Sequence, residues 1–317
     1  MPSKRQMCRE VSVLCLIFVL YMAVTGLIGG FAALIMTGAG ADPGFGGTDE
    51  IFNRMEMTSY LGTYILMFAV PLSVYFILKS KEKTTEYFFV NRAPKIGVTL
   101  LGGMGILAVN YLFTIISEAG TVIFSRVGVL ANVTDLLTIG DDPVCNVLYF
   151  FILVVAPAIL EEFCFRGVIC GRLARYNKTA AVLISSILFS LVHVDFEQIP
   201  FAFAAGLLMG YLYVRTGSIW SSVILHAVNN GFAYASEYLF YEYDSAMSMQ
   251  QIYMVSWAAV FLVGLVCLVI LGLSHRDADQ DPPLTCGQAM AAATTSPAFI
   301  ICCSLLLATA VLAVPLL

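Results

Sequence analysis

The chain has 317 residues, of which 60% are hydrophobic and 12% charged, and its net charge is −5. Its mean hydropathy of +0.88 lies far above that of soluble domains and excludes an ordinary soluble globular protein. The composition therefore predicts a membrane protein whose first partner is the lipid bilayer, and no nucleic-acid partner is expected.

Apolar stretches of about twenty residues recur along the chain, and each could cross a hydrocarbon layer of about 30 Å as a helix. Backbone groups in lipid must be hydrogen-bonded internally, and no alternating barrel pattern is present in the sequence. We therefore predict an all-α fold class, a polytopic transmembrane helical bundle with an eight-helix core and a possible ninth, C-terminal helix. The candidate spans are 11–36, 58–79, 97–124, 144–175, 179–195, 198–214, 218–240, 252–273 and 298–317.

The predicted domain organisation follows from these spans. A membrane-embedded bundle covers 1–273, with a functional core at about 145–240. The polar, proline-containing segment 274–297 is predicted to be a linker, and 298–317 a C-terminal apolar helix.

Orientation is predicted from the charges that flank the spans. Basic residues precede the first span and recur at 79–95 and 172–178, whereas acidic residues occupy 42–50, 135–142 and 237–244. Because basic flanks stay in the cytoplasm, the N-terminus is predicted to be cytoplasmic.

Three polar clusters interrupt the apolar sequence between residues 161 and 230. Ionisable residues at membrane depth cost several kcal/mol unless they are compensated, so they are functional candidates by default. The clusters are Glu161-Glu162-x-x-x-Arg166, Phe189-x-x-x-His193 and His226-x-x-x-Asn230.

The first cluster separates into two roles on a helix. Glu162 and Arg166 are four residues apart and can form an ion pair, while Glu161 points about 100° away. We expect Glu161 to face a cavity with its charge available. The alternative is that all three residues only lock helices together.

The other two clusters also have structural alternatives. The Phe189 ring can pack beside His193 and fix its rotamer, although a lone histidine on an apolar helix is often a core residue. His226 and Asn230 share one helical face and could simply join helices.

The polar residues of the three clusters lie at similar depths in the membrane. Counted along their helices at 1.5 Å per residue, Glu161, His193 and the His226–Asn230 pair lie about 12–20 Å from the cytoplasmic side. This agreement favours one shared site.

The three clusters together resemble the motifs of the CAAX-protease and bacteriocin-processing family of intramembrane proteases, also called the ABI family. The patterns E-E-x-x-x-R, F-x-x-x-H and H-x-x-x-N occur in that order, and the stretch 206–220 is similar to the family's approach to the last motif. The resemblance covers about residues 145–240.

This resemblance implies an intramembrane endopeptidase with a helical core around a conical cavity. Glu161 would activate water for attack on a peptide carbonyl, and His193 would help to hold and polarise that water. His226 and Asn230 would donate hydrogen bonds to the oxyanion. Glu162, Arg166 and Phe189 would support these four catalytic residues.

Metal dependence remains a separate question. Glu161, His193 and His226 resemble a catalytic zinc ligand set, and the family is often classed as metalloendopeptidase. The sequence lacks an H-E-x-x-H helix, and a glutamate-and-water mechanism needs no ion. We therefore favour no cofactor, with zinc as the alternative.

The resemblance implies a membrane-associated peptide or a lipidated, for example prenylated, protein as substrate. The compact loops and the lack of an endoplasmic reticulum signal favour a multi-pass protein of a bacterial plasma membrane.

Two other classes of protein stay open as alternatives to a protease. A non-catalytic scaffold or bacteriocin-immunity protein would keep the fold without needing Glu161, and a transporter would also place polar residues at mid-depth.

Overall fold

In a computed structural model of the chain, the described residues are 3–38, 50–79, 92–126, 139–243, 247–274 and 282–312. Every regular element within these ranges is helical, which confirms the predicted fold class. Residues 39–49, 80–91 and 127–138, which fall between predicted spans, lie outside these ranges. The helices are α1 (Lys4–Gly38), α2 (Glu50–Leu78), α3 (Ile96–Arg126), α4 (Pro143–Ala174), α5 (Lys178–Val192), α6 (Gln198–Thr216), α7 (Ile219–Tyr243), α8 (Met247–Leu273), α9 (Cys286–Thr294) and α10 (Pro297–Leu312).

Six helices in the described ranges are long and apolar enough to cross a membrane, and a seventh span results if the bent pair α9 and α10 is counted as one. The sequence predicted eight or nine spans. The difference arises because α5 has only 15 residues and because α7, with polar residues such as His226 and Asn230, is not among the six. The chain is nevertheless a multi-pass membrane protein.

The predicted linker at 274–297 contains a helix. Thr285 accepts a hydrogen bond from the backbone N–H of Gln288, and the Gln288 side chain accepts one from the backbone N–H of Thr285. This reciprocal capping satisfies two N–H groups that a helix start otherwise leaves open, so α9 forms. A bend of 70° separates α9 from α10, and both helices pack against α1 and α5.

The helix α4 is continuous but not uniformly α-helical. Residues Phe151–Val155 and Phe163–Cys170 form π-helical turns on either side of the α-helical turn Ala156–Glu162. Such turns contain an extra residue and are frequent at functional sites. Here they flank the paired glutamates.

Exposed apolar side chains cover the outer surface of the bundle. On α8, for example, Leu262 is 63% exposed, Val266 58% and Leu273 79%. An apolar surface of this kind would be unfavourable in water and is suited to lipid contact.

Basic residues from two chain segments meet around one buried glutamate at one end of the bundle. Glu10 of α1 is 6% exposed, and its carboxylate contacts Lys79 at 3.3 Å, Arg172 at 2.7 Å and Arg175 at 3.3 Å. This cluster ties the start of α1 to the ends of α2 and α4.

Acidic residues occupy the segment that enters α4. The guanidinium of Arg54 binds Asp142 through both carboxylate oxygens, at 2.6 and 3.0 Å. These hydrogen bonds lower the pKa of the Asp142 carboxyl below its usual value. Asp142 also caps the first turn of α4 by accepting a hydrogen bond from the N–H of Val144.

Glycines allow α5 and α6 to approach closely. A Cβ atom at Gly206 would lie 3.1 Å from the Cβ of Ser186, and one at Gly210 would lie 3.1 Å from Cγ1 of Val182. The spacing Gly206-x-x-x-Gly210 therefore marks a close helix–helix contact. Gly26 of α1 differs, because a Cβ there would meet no atom within 4 Å among the described residues.

We expect Gly210→Leu to lower the free energy of unfolding by about 1–3 kcal/mol, because the larger side chain must push α5 and α6 apart. The thermal midpoint of the purified protein in detergent measures this change. Gly62→Leu is the matched control, since a Cβ at Gly62 meets no atom within 4 Å in the described structure. Equal midpoints for both variants would contradict the close contact.

Candidate active site

The ion pair predicted from the first cluster is present and fully buried. Nη1 of Arg166 lies 2.9 Å from Oε1 of Glu162, and both side chains are at most 1% exposed. Nη2 of Arg166 also donates to the carbonyl of Gly206 at 3.3 Å. The guanidinium carbon lies 4.3 Å from the centre of the Phe189 ring, a cation–π contact. Arg166 thus joins α4 to both α5 and α6.

Glu161 points away from that pair and lines a cavity of about 470 Å³. Its Oε1 accepts a hydrogen bond from the hydroxyl of Tyr64 on α2. Its Oε2 is buried and has no hydrogen-bond partner in the described part of the chain. A buried carboxylate oxygen without a partner is unfavourable, and it is available to a group that enters the cavity.

His226 of α7 lies between the two glutamates. Its Nδ1 is 2.9 Å from Oε1 of Glu162 and its Nε2 is 3.9 Å from Oε2 of Glu161. Because Glu162 is paired with Arg166, we assign Glu162 as an ionised carboxylate. It accepts a hydrogen bond from the Nδ1–H group of His226. Nε2 is then an acceptor in the neutral ring, and it donates only when the ring carries both protons.

His193 directly follows the last residue of α5 and is anchored in a similar way. Its Nδ1 lies 2.8 Å from the carbonyl oxygen of Phe189, which can only accept, so Nδ1 carries the proton and Nε2 is an acceptor in the neutral ring. The Phe189 ring packs edge-on against His193 at 4.9 Å and against His226 at 6.0 Å. The next residue, Val194, has φ 57, a left-handed conformation that is strained for a β-branched residue.

Asn230 is held by a hydrogen bond to the backbone of α4. Its Nδ2 donates to the carbonyl of Leu153 at 2.8 Å. The usual α-helical donor to that carbonyl would be residue 157, which is a proline without an N–H. Asn230 therefore satisfies a carbonyl that Pro157 leaves without its usual donor, and its second amide proton remains for another acceptor.

The orientation of the Asn230 amide is set by two further asparagines. Nδ2 of Asn229 donates to Oδ1 of Asn230 at 3.0 Å, and Nδ2 of Asn110 on α3 donates to Oδ1 of Asn229 at 2.8 Å. This chain runs from α3 through α7 to α4. It determines which end of the Asn230 amide can donate.

All four candidate catalytic residues line the same cavity, whereas the supporting pair Glu162 and Arg166 lies behind its wall. The remaining lining combines tyrosines with apolar side chains. It consists of Tyr21, Tyr60, Tyr64, Ile106, Tyr149, Ile152, Leu153, Pro157, Phe165, Phe189, Val192, Gln198, Phe201, Ala202, Ala205, Met209 and Asn229.

Three residues of this site were not found from the sequence: Tyr64, Asn110 and Asn229. Two signals were available, namely the Asn229-Asn230 dipeptide and the pair Tyr60-x-x-x-Tyr64 in an apolar span. Neither signal identifies the partner on another helix, because the Tyr64–Glu161 and Asn110–Asn229 bonds join helices that are distant in sequence.

The zinc alternative can be compared with the side-chain arrangement. Among the residues that the structure describes, no three His, Cys, Asp or Glu side chains are grouped to hold a metal ion. His193 and His226 use Nδ1 for protein hydrogen bonds, and Glu161 uses Oε1. Metal-binding histidines commonly donate their second ring N–H in this way and bind the ion through the other nitrogen. The zinc alternative therefore stays a prediction, which metal analysis of the purified protein tests.

The fold and the site together define a polytopic membrane protein with a carboxylate, imidazole and amide site inside its helical bundle. Residues 143–232 match the model of the type II CAAX prenyl endopeptidase Rce1-like family. The chain belongs to the CAAX-protease and bacteriocin-processing family, which confirms the family resemblance.

Three curated bacterial proteins are similar to the chain. The membrane-embedded CAAX protease MroQ of Staphylococcus aureus is 28% identical over 191 residues, which cover 57% of this chain and 76% of MroQ. The putative membrane peptidase YdiL of Bacillus subtilis is 27% identical, over 67% of this chain and 86% of YdiL. The UPF0177 protein YxdF of Lactococcus lactis is 34% identical, over 40% of this chain and 68% of YxdF. No solved structure matches the chain significantly.

Proposed function

We propose that this chain is an intramembrane endopeptidase in which Glu161 activates water to hydrolyse a peptide bond. Membership of the family supports protease activity in general. The observation that carries the specific proposal is the cavity, into which three helices bring Glu161, His193, His226 and Asn230.

The attacking water would lie between Glu161 and His226. The 3.9 Å separation of Oε2 and Nε2 is too long for a direct hydrogen bond, but one water at about 2.8 Å could contact both atoms. Glu161 would take a proton on Oε2 while the water oxygen bonds to the peptide carbonyl carbon. The same proton would then pass to the leaving nitrogen as the C–N bond breaks.

Asn230 would stabilise the negative charge that develops on the carbonyl oxygen. Its second amide proton is available, and its bonds to Leu153 and Asn229 hold it in place before the reaction. Fixed donors of this kind typically contribute about 2.7–4 kcal/mol each. His193 would hold the water through Nε2. A His226 ring that already carries both protons before the reaction would not accept from the water and would instead donate Nε2–H to the oxyanion as a second donor.

The substrate would be a membrane-associated peptide or a lipidated protein. The cavity is lined mainly by aromatic and aliphatic side chains, which favour an apolar segment over a charged one. MroQ is described as a CAAX protease, and a prenylated chain terminus is therefore one member of this substrate class.

We further propose a bacterial plasma membrane as the location, with the N-terminus in the cytoplasm. The relatives named above are bacterial. The cluster of Lys79, Arg172 and Arg175 around Glu10 supports a single basic end of the bundle, the end that normally stays cytoplasmic.

The proposal is tested with purified protein in nanodiscs and a library of membrane-presented peptides, prenylated and unprenylated. We expect cleavage by the wild type, new termini at defined bonds by mass spectrometry, and no cleavage by Glu161→Gln. Metal analysis and a chelator arm test zinc in the same preparation. Equal cleavage by both proteins would refute the glutamate mechanism, and stoichiometric zinc with chelator inactivation would refute its metal-free form.

A further inference from the structure

Tyr64 connects the candidate base to a helix outside the family-matched region. Its hydroxyl donates a hydrogen bond to Oε1 of Glu161, and it lies on α2, whereas the match covers residues 143–232. The tyrosine also lines the same cavity as Glu161.

The aromatic ring of Tyr64 is held in place by its neighbours. It packs against Phe68 at 5.4 Å between centroids, and Phe68 packs against Tyr21 of α1 at 5.3 Å. Phe68 is only 3% exposed. Since the hydroxyl is rigidly attached to the ring, this packing fixes the direction from which Glu161 receives the hydrogen bond.

The hydrogen bond from Tyr64 gives the two carboxylate oxygens of Glu161 different surroundings. Oε1 accepts the hydrogen bond from Tyr64, while Oε2 faces Nε2 of His226 at 3.9 Å. A neutral phenol can continue to donate to Oε1 after Oε2 has gained a proton, because the oxygen of a carboxylic acid that lacks the proton remains an acceptor. Tyr64 can therefore stay bound through the whole proton transfer.

We propose that Tyr64 is a positioning residue that selects Oε2 of Glu161 as the proton-accepting atom. This inference rests on the proposed role of Glu161. Tyr64 does not touch the reacting atoms and acts through the carboxylate, which it prevents from rotating away from His226 and the attacking water.

Tyr60 provides a matched comparison on the same helix. It lies one turn before Tyr64 and lines the same cavity, and no hydrogen bond joins it to Glu161 among the described contacts. Removing its hydroxyl changes the cavity by the same single atom while leaving Glu161 bonded to Tyr64.

The kinetic test compares Tyr64→Phe with Tyr241→Phe in nanodiscs on a peptide that the wild type cleaves. Tyr241 on α7 also donates its hydroxyl to a carboxylate, that of Asp141, but it does not line the cavity. We expect kcat to fall by about 10- to 100-fold in Tyr64→Phe, the range for loss of a hydrogen bond to a charged group. KM should stay within about twofold because the substrate does not contact the hydroxyl. Tyr241→Phe should keep both constants.

A spectroscopic test needs no substrate. The infrared bands of the Glu161 carboxyl group are identified as those that Glu161→Gln removes. We expect these bands to shift in Tyr64→Phe and to stay in place in Tyr60→Phe. A purely structural role of Tyr64 would lower the thermal midpoint without this selective shift.

The outcomes separate the two proposals. Unchanged kcat in Tyr64→Phe together with an inactive Glu161→Gln would overturn the role of Tyr64 and leave the proposed function intact. Activity in Glu161→Gln would overturn the proposed function itself. If the wild type cleaves none of the peptides, the infrared bands decide, and identical Glu161 bands in Tyr64→Phe and Tyr60→Phe would overturn the inference.

Discussion

Glu161→Gln is expected to keep the fold and to lower kcat by about 100- to 10,000-fold, the range that general acid–base catalysis contributes. Glutamine has nearly the same shape, and its carbonyl oxygen can still accept the hydrogen bond from Tyr64. It cannot take a proton from water at neutral pH. The loss should therefore appear in catalysis and not in the thermal midpoint.

Initial cleavage rates on one defined peptide measure this effect. Glu242→Gln is the matched control, because it removes a carboxylate from an exposed position on α7 that does not line the cavity. A wild-type rate in Glu161→Gln would show that another group activates the water. An unfolded Glu161→Gln would show that the carboxylate has a structural role.

Arg166→Met is expected to destabilise the protein by about 3–5 kcal/mol, because it leaves the carboxylate of Glu162 buried without its cation. Glu162 is 0% exposed, so water cannot replace the guanidinium. The substitution also removes the hydrogen bond to Gly206 and the contact with Phe189. Activity should fall as well, since Glu162 orients His226.

Thermal unfolding at one fixed scan rate measures the loss. The control is Arg54→Met. The Arg54 side chain is 42% exposed, so its ion pair with Asp142 should contribute at most about 1 kcal/mol to the free energy of unfolding. The double variant Glu162→Leu/Arg166→Met should recover part of the stability, because it removes both buried charges. Equal midpoints for the two arginine variants would contradict a structural role for the buried pair.

Features that depend on positions within one helix were predictable from the sequence. Glu162 and Arg166 are four residues apart, and their pairing follows from helical geometry alone. The different direction of Glu161, about 100° from that pair, follows from the same geometry. The common depth of the polar residues also followed from counting along three helices that run in alternate directions.

Features that depend on contacts between helices were not predictable in the same way. Tyr64 and Glu161 are 97 positions apart, and the contact requires the rotation of α2 about its axis, which an apolar sequence leaves undetermined. The bond from His226 to Glu162 joins residues 64 positions apart. In contrast, the sequence does show that Pro157 lacks the N–H that would normally donate to the Leu153 carbonyl, although it does not identify Asn230 as the donor.

The π-helical turn at Phe151–Val155 makes the chain length of α4 critical. A turn closed by i→i+5 hydrogen bonds contains one residue more than an α-helical turn. Deleting one residue there would rotate Glu161 by about 100° relative to the start of the helix and shift it by about 1.5 Å. Homologues should therefore tolerate substitutions in this turn far more readily than insertions or deletions. The number of residues between Pro143 and Glu161 should vary less among them than the identities of those residues.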